Sequence, residues 1–130
     1  LVDHAIQGNK TQALRILSFL QHSGVEPIAI LWALSKDIRA LEGISAAIAN
    51  GQAASKAFRD FRVWDNRKPI FQKALNRHNQ KLFQSTLIEA SYIDHAVKGL
   101  IKADPWVGFA NIILMLSGCL KDNPLPITDF

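Results

Sequence analysis

The side chains able to carry chemistry are scattered along the chain. The four histidines, His4, His22, His78 and His95, fall in four different segments, and no two are four residues apart as a zinc-binding helix requires. The carboxylate pairs Asp37/Glu42 and Glu89/Asp94 are five apart on helices and do not share a face, so they read as solvated helix surface. The seven glycines are isolated, which excludes a phosphate-cradling loop. These observations predict no catalytic residue, no metal site and no cofactor. Cys119 is the only cysteine, so an internal disulfide is impossible and a reducing compartment is expected. Its apolar setting, Leu116-Ser117-Gly118-Cys119-Leu120, predicts a packed, inert thiol. Asn9-Lys10-Thr11 matches a glycosylation sequon, but Asn9 is read as a helix-terminal residue.

Charge is the stronger signal. The net charge is +4, and it is concentrated. Residues 56–81 hold eight cations against Asp60 and Asp65, a local charge of +6 that leaves −2 on the rest of the chain. Lys68, Lys73 and Arg77 project in at least two directions around their helix, so they do not form one phosphate-binding stripe. Asp94 borders an apolar face, with Lys98 at the favourable i+4 position. A sharper expectation is that Asp94 turns inward and meets Arg67, which borders the stripe of Ile70, Phe71 and Ala74. A bidentate Arg67–Asp94 pair would lock two helices in one register.

These residues need elements to hold them, and the apolar periodicity supplies helices throughout. Val2, Ala5 and Ile6 suit a short helix ended by Gly8 and Asn9. Ala13, Leu14, Ile16, Leu17 and Leu20 mark a second, from about Lys10 to Gln21. Pro27 opens a long third helix with a stripe of Ile30, Leu31, Leu34, Ile38, Leu41, Ile44 and Ile48, stopped by Asn50-Gly51. Ala53 to Phe61 is a shorter helix with Ala54, Ala57, Phe58 and Phe61 inward. After the connection Arg62 to Asn66, Asp65 or Asn66 is expected to cap the next helix, with Pro69 in its first turn. Asn79 caps a helix from roughly Gln80 to Lys102. Asp104-Pro105 starts the last, which carries Trp106, Phe109, Ile112, Ile113, Leu116 and Leu120.

The expected fold is therefore all-α, a compact bundle of about five to seven helices, mostly antiparallel neighbours. The expected organisation is one domain over residues 1–121 and a loose tail over 122–130. A chain of 130 residues that is 48% hydrophobic and 20% charged can form such a core unaided. No apolar run reaches the roughly 18 residues of a membrane span. Leu1 at the start and Met115 as the only methionine suggest a piece of a longer protein.

The order of elements is similar to a known family. Ala13-Leu14-Arg15-Ile16-Leu17, Gly24 with Glu26-Pro27, and Ile30-Leu31-Trp32-Ala33-Leu34 come first. Arg62-Val63-Trp64-Asp65-Asn66-Arg67, Ala74-Leu75-Asn76-Arg77 and Ile93-Asp94-His95-Ala96-Val97-Lys98-Gly99 follow, then the Trp106 helix. From Val2 to Leu120 this resembles the C-terminal domain of the delta subunit of the bacterial DNA polymerase III clamp loader. Val63, Trp64, Arg67, Asp94, Lys98 and Gly99 are its most specific positions, and Trp64 is expected to anchor its junction.

The resemblance implies an AAA+-like half elsewhere in the subunit, which contacts and opens the sliding clamp. It implies that this domain packs with delta-prime and gamma/tau subunits in a collar, so that the whole loads the clamp on primed DNA in the bacterial cytoplasm. DNA is then an indirect partner and a membrane is not one. Phe109, Ile112, Ile113, Met115 and Leu116 exceed one stripe: some must cover the core, and the excess are candidate collar contacts. The alternative is a free-standing nucleic-acid-binding module using residues 56–81.

Overall fold

Capping chemistry sets the helix boundaries. In the computed structural model, which describes residues 1–119, the elements are α1 (Val2–Gln7), α2 (Lys10–His22), α3 (Pro27–Ala49), α4 (Ala54–Asp60), a 3-10 turn (Asp65–Arg67), α5 (Lys68–Arg77), α6 (Gln80–Val97) and α7 (Pro105–Ser117). No strand occurs among the described residues. The expected tail 122–130 and the expected last apolar position, Leu120, lie outside them.

The local signals act as expected. Gly8 closes α1 at φ 84°, a left-handed conformation that glycine adopts without steric cost. The side chains of Asn9, Asn79 and Asp104 accept hydrogen bonds from the backbone N–H groups of Gln12, Leu82 and Trp106 at 3.4, 3.0 and 2.9 Å. Each satisfies one of the donors that a helix start leaves without a partner. Pro27, Pro69 and Pro105 all sit in first turns.

Two expected boundaries are wrong. The α6 helix stops at Val97, not near Lys102. Gly99 takes φ 74° and Leu100 N–H bonds back to the His95 carbonyl, so the chain closes the helix early. Asp65 and Asn66 do not cap α5 with their side chains. Asp65 instead forms a 2.8 Å salt bridge with Lys68, and the backbone carbonyl of Trp64 accepts from the N–H groups of Arg67 and Lys68.

The core runs through the middle of the bundle. Leu34, Ile38, Leu41 and Ile44 of α3, Phe83 and Ile93 of α6, Phe71 of α5 and Ile6 of α1 belong to one buried cluster, and α3 packs mainly on α6. Each such side chain contributes about 1.5–3 kcal/mol by leaving water. Helix α7 packs against α1, α2 and α6, so almost its whole circumference is apolar and covered. Phe109, Ile112, Ile113, Met115 and Leu116 are consequently completely buried within this chain. They are core, and the expectation that they form a surface for neighbouring subunits is overturned.

Phe61 is half-exposed rather than inward, and its ring lies against Gly43 in the middle of α3. A Cβ on Gly43 would collide with that ring, which explains a glycine inside a long helix. Cys119 is exposed, not packed. Gly118 ends α7 at φ 87°, which takes the next residue off the apolar stripe. The Lys10 ammonium donates to the Cys119 sulfur at 2.9 Å and holds the thiol below its ordinary range.

Candidate functional site

The turn between α4 and α5 is where the distinctive residues converge. Helix α4 ends with Arg62 N–H bonding to the Arg59 carbonyl and Val63 N–H to the Phe58 carbonyl. That closure places Arg62 at φ 57°, the one non-glycine residue with positive φ among the described residues. Side chains pay roughly 1–2 kcal/mol for this conformation. Val63 packs on the edge of the core, and Trp64 points out, 77% exposed. The indole does not anchor the junction, contrary to expectation. The anchor is the Trp64 backbone carbonyl together with the next arginine.

Arg67 turns back under the junction and joins three helices. Its Nη1 and Nη2 donate to Asp37 Oδ1 and Oδ2 of α3 at 3.2 and 2.7 Å, a two-pronged pairing of guanidinium and carboxylate. Its Nε and Nη2 also donate to Asp3 Oδ1 of α1 at 3.1 and 2.6 Å. The guanidinium stacks 5.1 Å from the centre of the Phe71 ring. The hydrogen bond to Asp37 is the main force raising the Arg67 pKa further; desolvation opposes it and the Asp3 bond adds to it.

The expected Arg67–Asp94 lock does not exist. Asp94 pairs with Lys98 at 2.9 Å on its own helix, and Gly99 follows as the turn residue. The missed partner, Asp37, had a signal in the sequence. It lies three after Leu34 and four before Leu41, inside the α3 stripe, so an acid there must be buried or paired. Asp37 is buried, which also overturns its reading as solvated surface. The same correction applies to Glu89, buried on α6 and accepting a 3.4 Å bond from the Asn111 amide of α7. Its burial pushes the carboxyl pKa up.

Arg77, at the end of α5, is a second fastener. It donates to the carbonyls of Ile6, Gln7 and Leu116 at 3.2, 2.7 and 2.9 Å. It thus gathers the unsatisfied C-terminal carbonyls of α1 and α7. His78 Nε2 reaches the same Leu116 carbonyl at 2.7 Å, and burial lowers its pKa.

What remains exposed around Trp64 is mainly cationic, with Asp65 beside it paired to Lys68. One cleft, of about 460 Å³, lies between the junction and α3 and includes Lys36, Arg39, Phe61, Arg62 and Trp64. A second, shallower one of about 590 Å³ lies on the other side of the junction and includes Arg59, Arg62, Trp64 and Lys68. Lys36, Arg39, Arg59 and Arg62 form no salt bridge among the described residues. Such a surface can hold anions by charge and a flat ring by stacking. No group of three or more His, Cys, Asp or Glu side chains able to hold a metal occurs among the described residues. No described helix is long and apolar enough to cross a membrane.

Residues 1–123 match the family described as the processivity clamp loader gamma complex DNA polymerase III C-terminal domain. The DNA polymerase III subunit delta of Escherichia coli strain K12 is 26% identical over 115 residues, covering 88% of this chain and 33% of that protein. The corresponding subunit of Haemophilus influenzae is 23% identical over 119 residues, covering 85% of this chain and 35% of that protein. The chain thus spans about a third of the length of these relatives.

Proposed function

The chain belongs to the family of clamp-loader DNA polymerase III C-terminal domains, and from that membership we propose that its work is assembly. In this reading it packs beside the corresponding domains of delta-prime and gamma/tau subunits in a collar. Contact with the sliding clamp falls to the rest of the delta subunit. The observation that carries the reading is the family match over residues 1–123. The rigid, multiply fastened bundle suits it, because a collar must hold its shape while other parts of the complex move. The test is reconstitution of the clamp loader from full-length subunits, followed by sedimentation. Delta lacking this domain should fail to enter the complex, and normal entry would refute the reading.

A second reading is favoured by one observation: a strained arginine and an exposed tryptophan stand between two cation-lined clefts. Strain kept at a residue whose side chain lines both clefts points to a use for that side chain. The surface suits single-stranded nucleic acid, with bases stacking on Trp64 and phosphates meeting Arg39, Arg59 and Arg62. Fluorescence anisotropy of a labelled oligonucleotide with the full-length subunit tests it. Affinity should fall steeply with salt, and Trp64→Ala should cost about 1–3 kcal/mol. Equal affinity for the variant and the wild type would dismiss this reading.

A further inference from the structure

The α3 and α6 helices pack antiparallel. Gln80 and Gln84 of α6 donate to Glu42 at 2.9 and 3.4 Å, whereas Asp94, further along α6, shares a cleft with Trp32, earlier on α3. Their inward faces are occupied by the core. Their outward faces nonetheless carry large apolar side chains. Trp32 is 70% exposed, and Ile88 and Tyr92, one turn apart on α6, are 58% and 50% exposed. None of these fills the core, and exposed Trp and Tyr on a rigid helix pair are the residue types that dominate protein interfaces.

The cleft between the two helices measures about 340 Å³. Its lining combines small side chains, the buried Ser35 and Ala90 and the exposed Ser91, with the bulky Trp32 and Leu87. Small residues beside bulky ones form a socket into which a side chain of a third helix fits, as ridges fit grooves in helix packing.

The charge of the rim selects the partner. Lys36 and Arg39 share the exposed face of α3 with Trp32, at spacings of four and seven residues. Neither forms a salt bridge among the described residues. The neighbouring carboxylates are already engaged, Asp94 by Lys98 and Asp37 by Arg67. The rim is therefore net positive beside an apolar socket.

We propose that this face receives an amphipathic helix with an acidic flank, presented by a different subunit of the same complex. Its apolar side chains seat against Trp32, Ile88 and Tyr92, and its carboxylates meet Lys36 and Arg39. The proposal rests on the assembly reading above and adds to it the face used and the chemistry of the partner.

The test uses full-length subunit with the photocrosslinker p-benzoylphenylalanine at position 32, reconstituted with the other subunits. A crosslink to an acidic-flanked helix of another subunit is expected. Independently, Tyr92→Ala, Ile88→Asp and Arg39→Glu should each weaken entry into the complex at least tenfold in a sedimentation titration, with unchanged thermal melts because all three residues are exposed. A crosslink to a second copy of this chain, or the lack of any, overturns the proposal. Wild-type assembly of all three variants overturns it too. If those variants assemble normally while removal of the whole domain abolishes assembly, this face is refuted and the assembly reading stands. If removal of the domain also leaves assembly intact, the assembly reading falls, and this proposal with it.

Discussion

Two sets of cations in the basic segment 56–81 have opposite fates. Arg67 and Arg77 turn inward and are spent on the fold, one on carboxylates and the other on carbonyls. Arg59 and Arg62 stay in solvent without a salt bridge among the described residues. Lys56 and Lys68 are held locally by Asp60 and Asp65. A local charge of +6 in the sequence therefore overstates the positive charge offered to a partner. What is offered includes a smaller set around Trp64, completed by Lys36 and Arg39 from α3, which lie outside the segment, and Lys73, exposed on α5. A charge run in a sequence is a reservoir, and tertiary structure decides how much of it stays free.

The contrast can be broken most sharply at Arg67. Arg67→Ala leaves Asp37 buried without its cation, and loss of one partner of such a pair should cost about 3 kcal/mol in urea unfolding. Arg67→Lys should recover part of this, because an ammonium keeps the charge but not the two-pronged geometry. A change below about 0.5 kcal/mol for Arg67→Ala would erase the distinction between the two sets.

Arg77→Ala should cost less, about 1.5 kcal/mol, because its carbonyl partners are nearer water. Gly8→Ala should cost a similar amount. It forces a side chain into φ 84° and brings a Cβ to 2.9 Å from the Arg77 guanidinium. Both effects are readable as shifts in the urea midpoint.

The exposed set should behave in the reverse sense. Arg62→Gly relieves the left-handed conformation and should stabilise the domain by about 1 kcal/mol in the same assay. If the second functional reading holds, it should at the same time weaken oligonucleotide binding. Stability gained where binding is lost would mark Arg62 as a residue kept for its side chain.

The smallest effect concerns His78, within the same segment. Burial lowers its pKa, so the folded chain takes up its proton at lower pH than the unfolded chain, whose value lies near 6.5. Its contribution is therefore fully present above pH 6.5 and is lost as pH falls through the folded value. His78→Gln keeps a donor for the Leu116 carbonyl and cannot titrate. On acidification from pH 7, thermal melts of the wild type should fall more than those of the variant. Parallel curves would show that His78 carries no such linkage.

The positions of the helices were largely legible because their signals are short-range. Gly8, Asn9, Pro27, Asn79 and the Asp104-Pro105 pair act on backbone groups within a turn, and all of them do what their types require. The one large overshoot, at the end of α6, came from following apolar periodicity past Gly99. The distinctive residues of the candidate surface were legible as a set, but their roles were not. Trp64 is expected to anchor its junction, yet its indole faces water, and nothing local prevents a junction residue from doing so.

Residue types and spacing alone determined an all-α chain, its caps, its concentrated charge and the family it resembles. Tertiary structure decided which arginines remain free, that Arg67 meets Asp37 and Asp3 rather than Asp94, and that the apolar α7 helix is core rather than surface. The physical reason is the range of the interactions. A cap or a helix stripe is closed within about four residues, whereas Arg67 lies 30 and 64 residues from its two partners. Several carboxylates on the chain could have met it. The choice followed from how the helices pack to bury their apolar faces, and that arrangement belongs to the whole bundle.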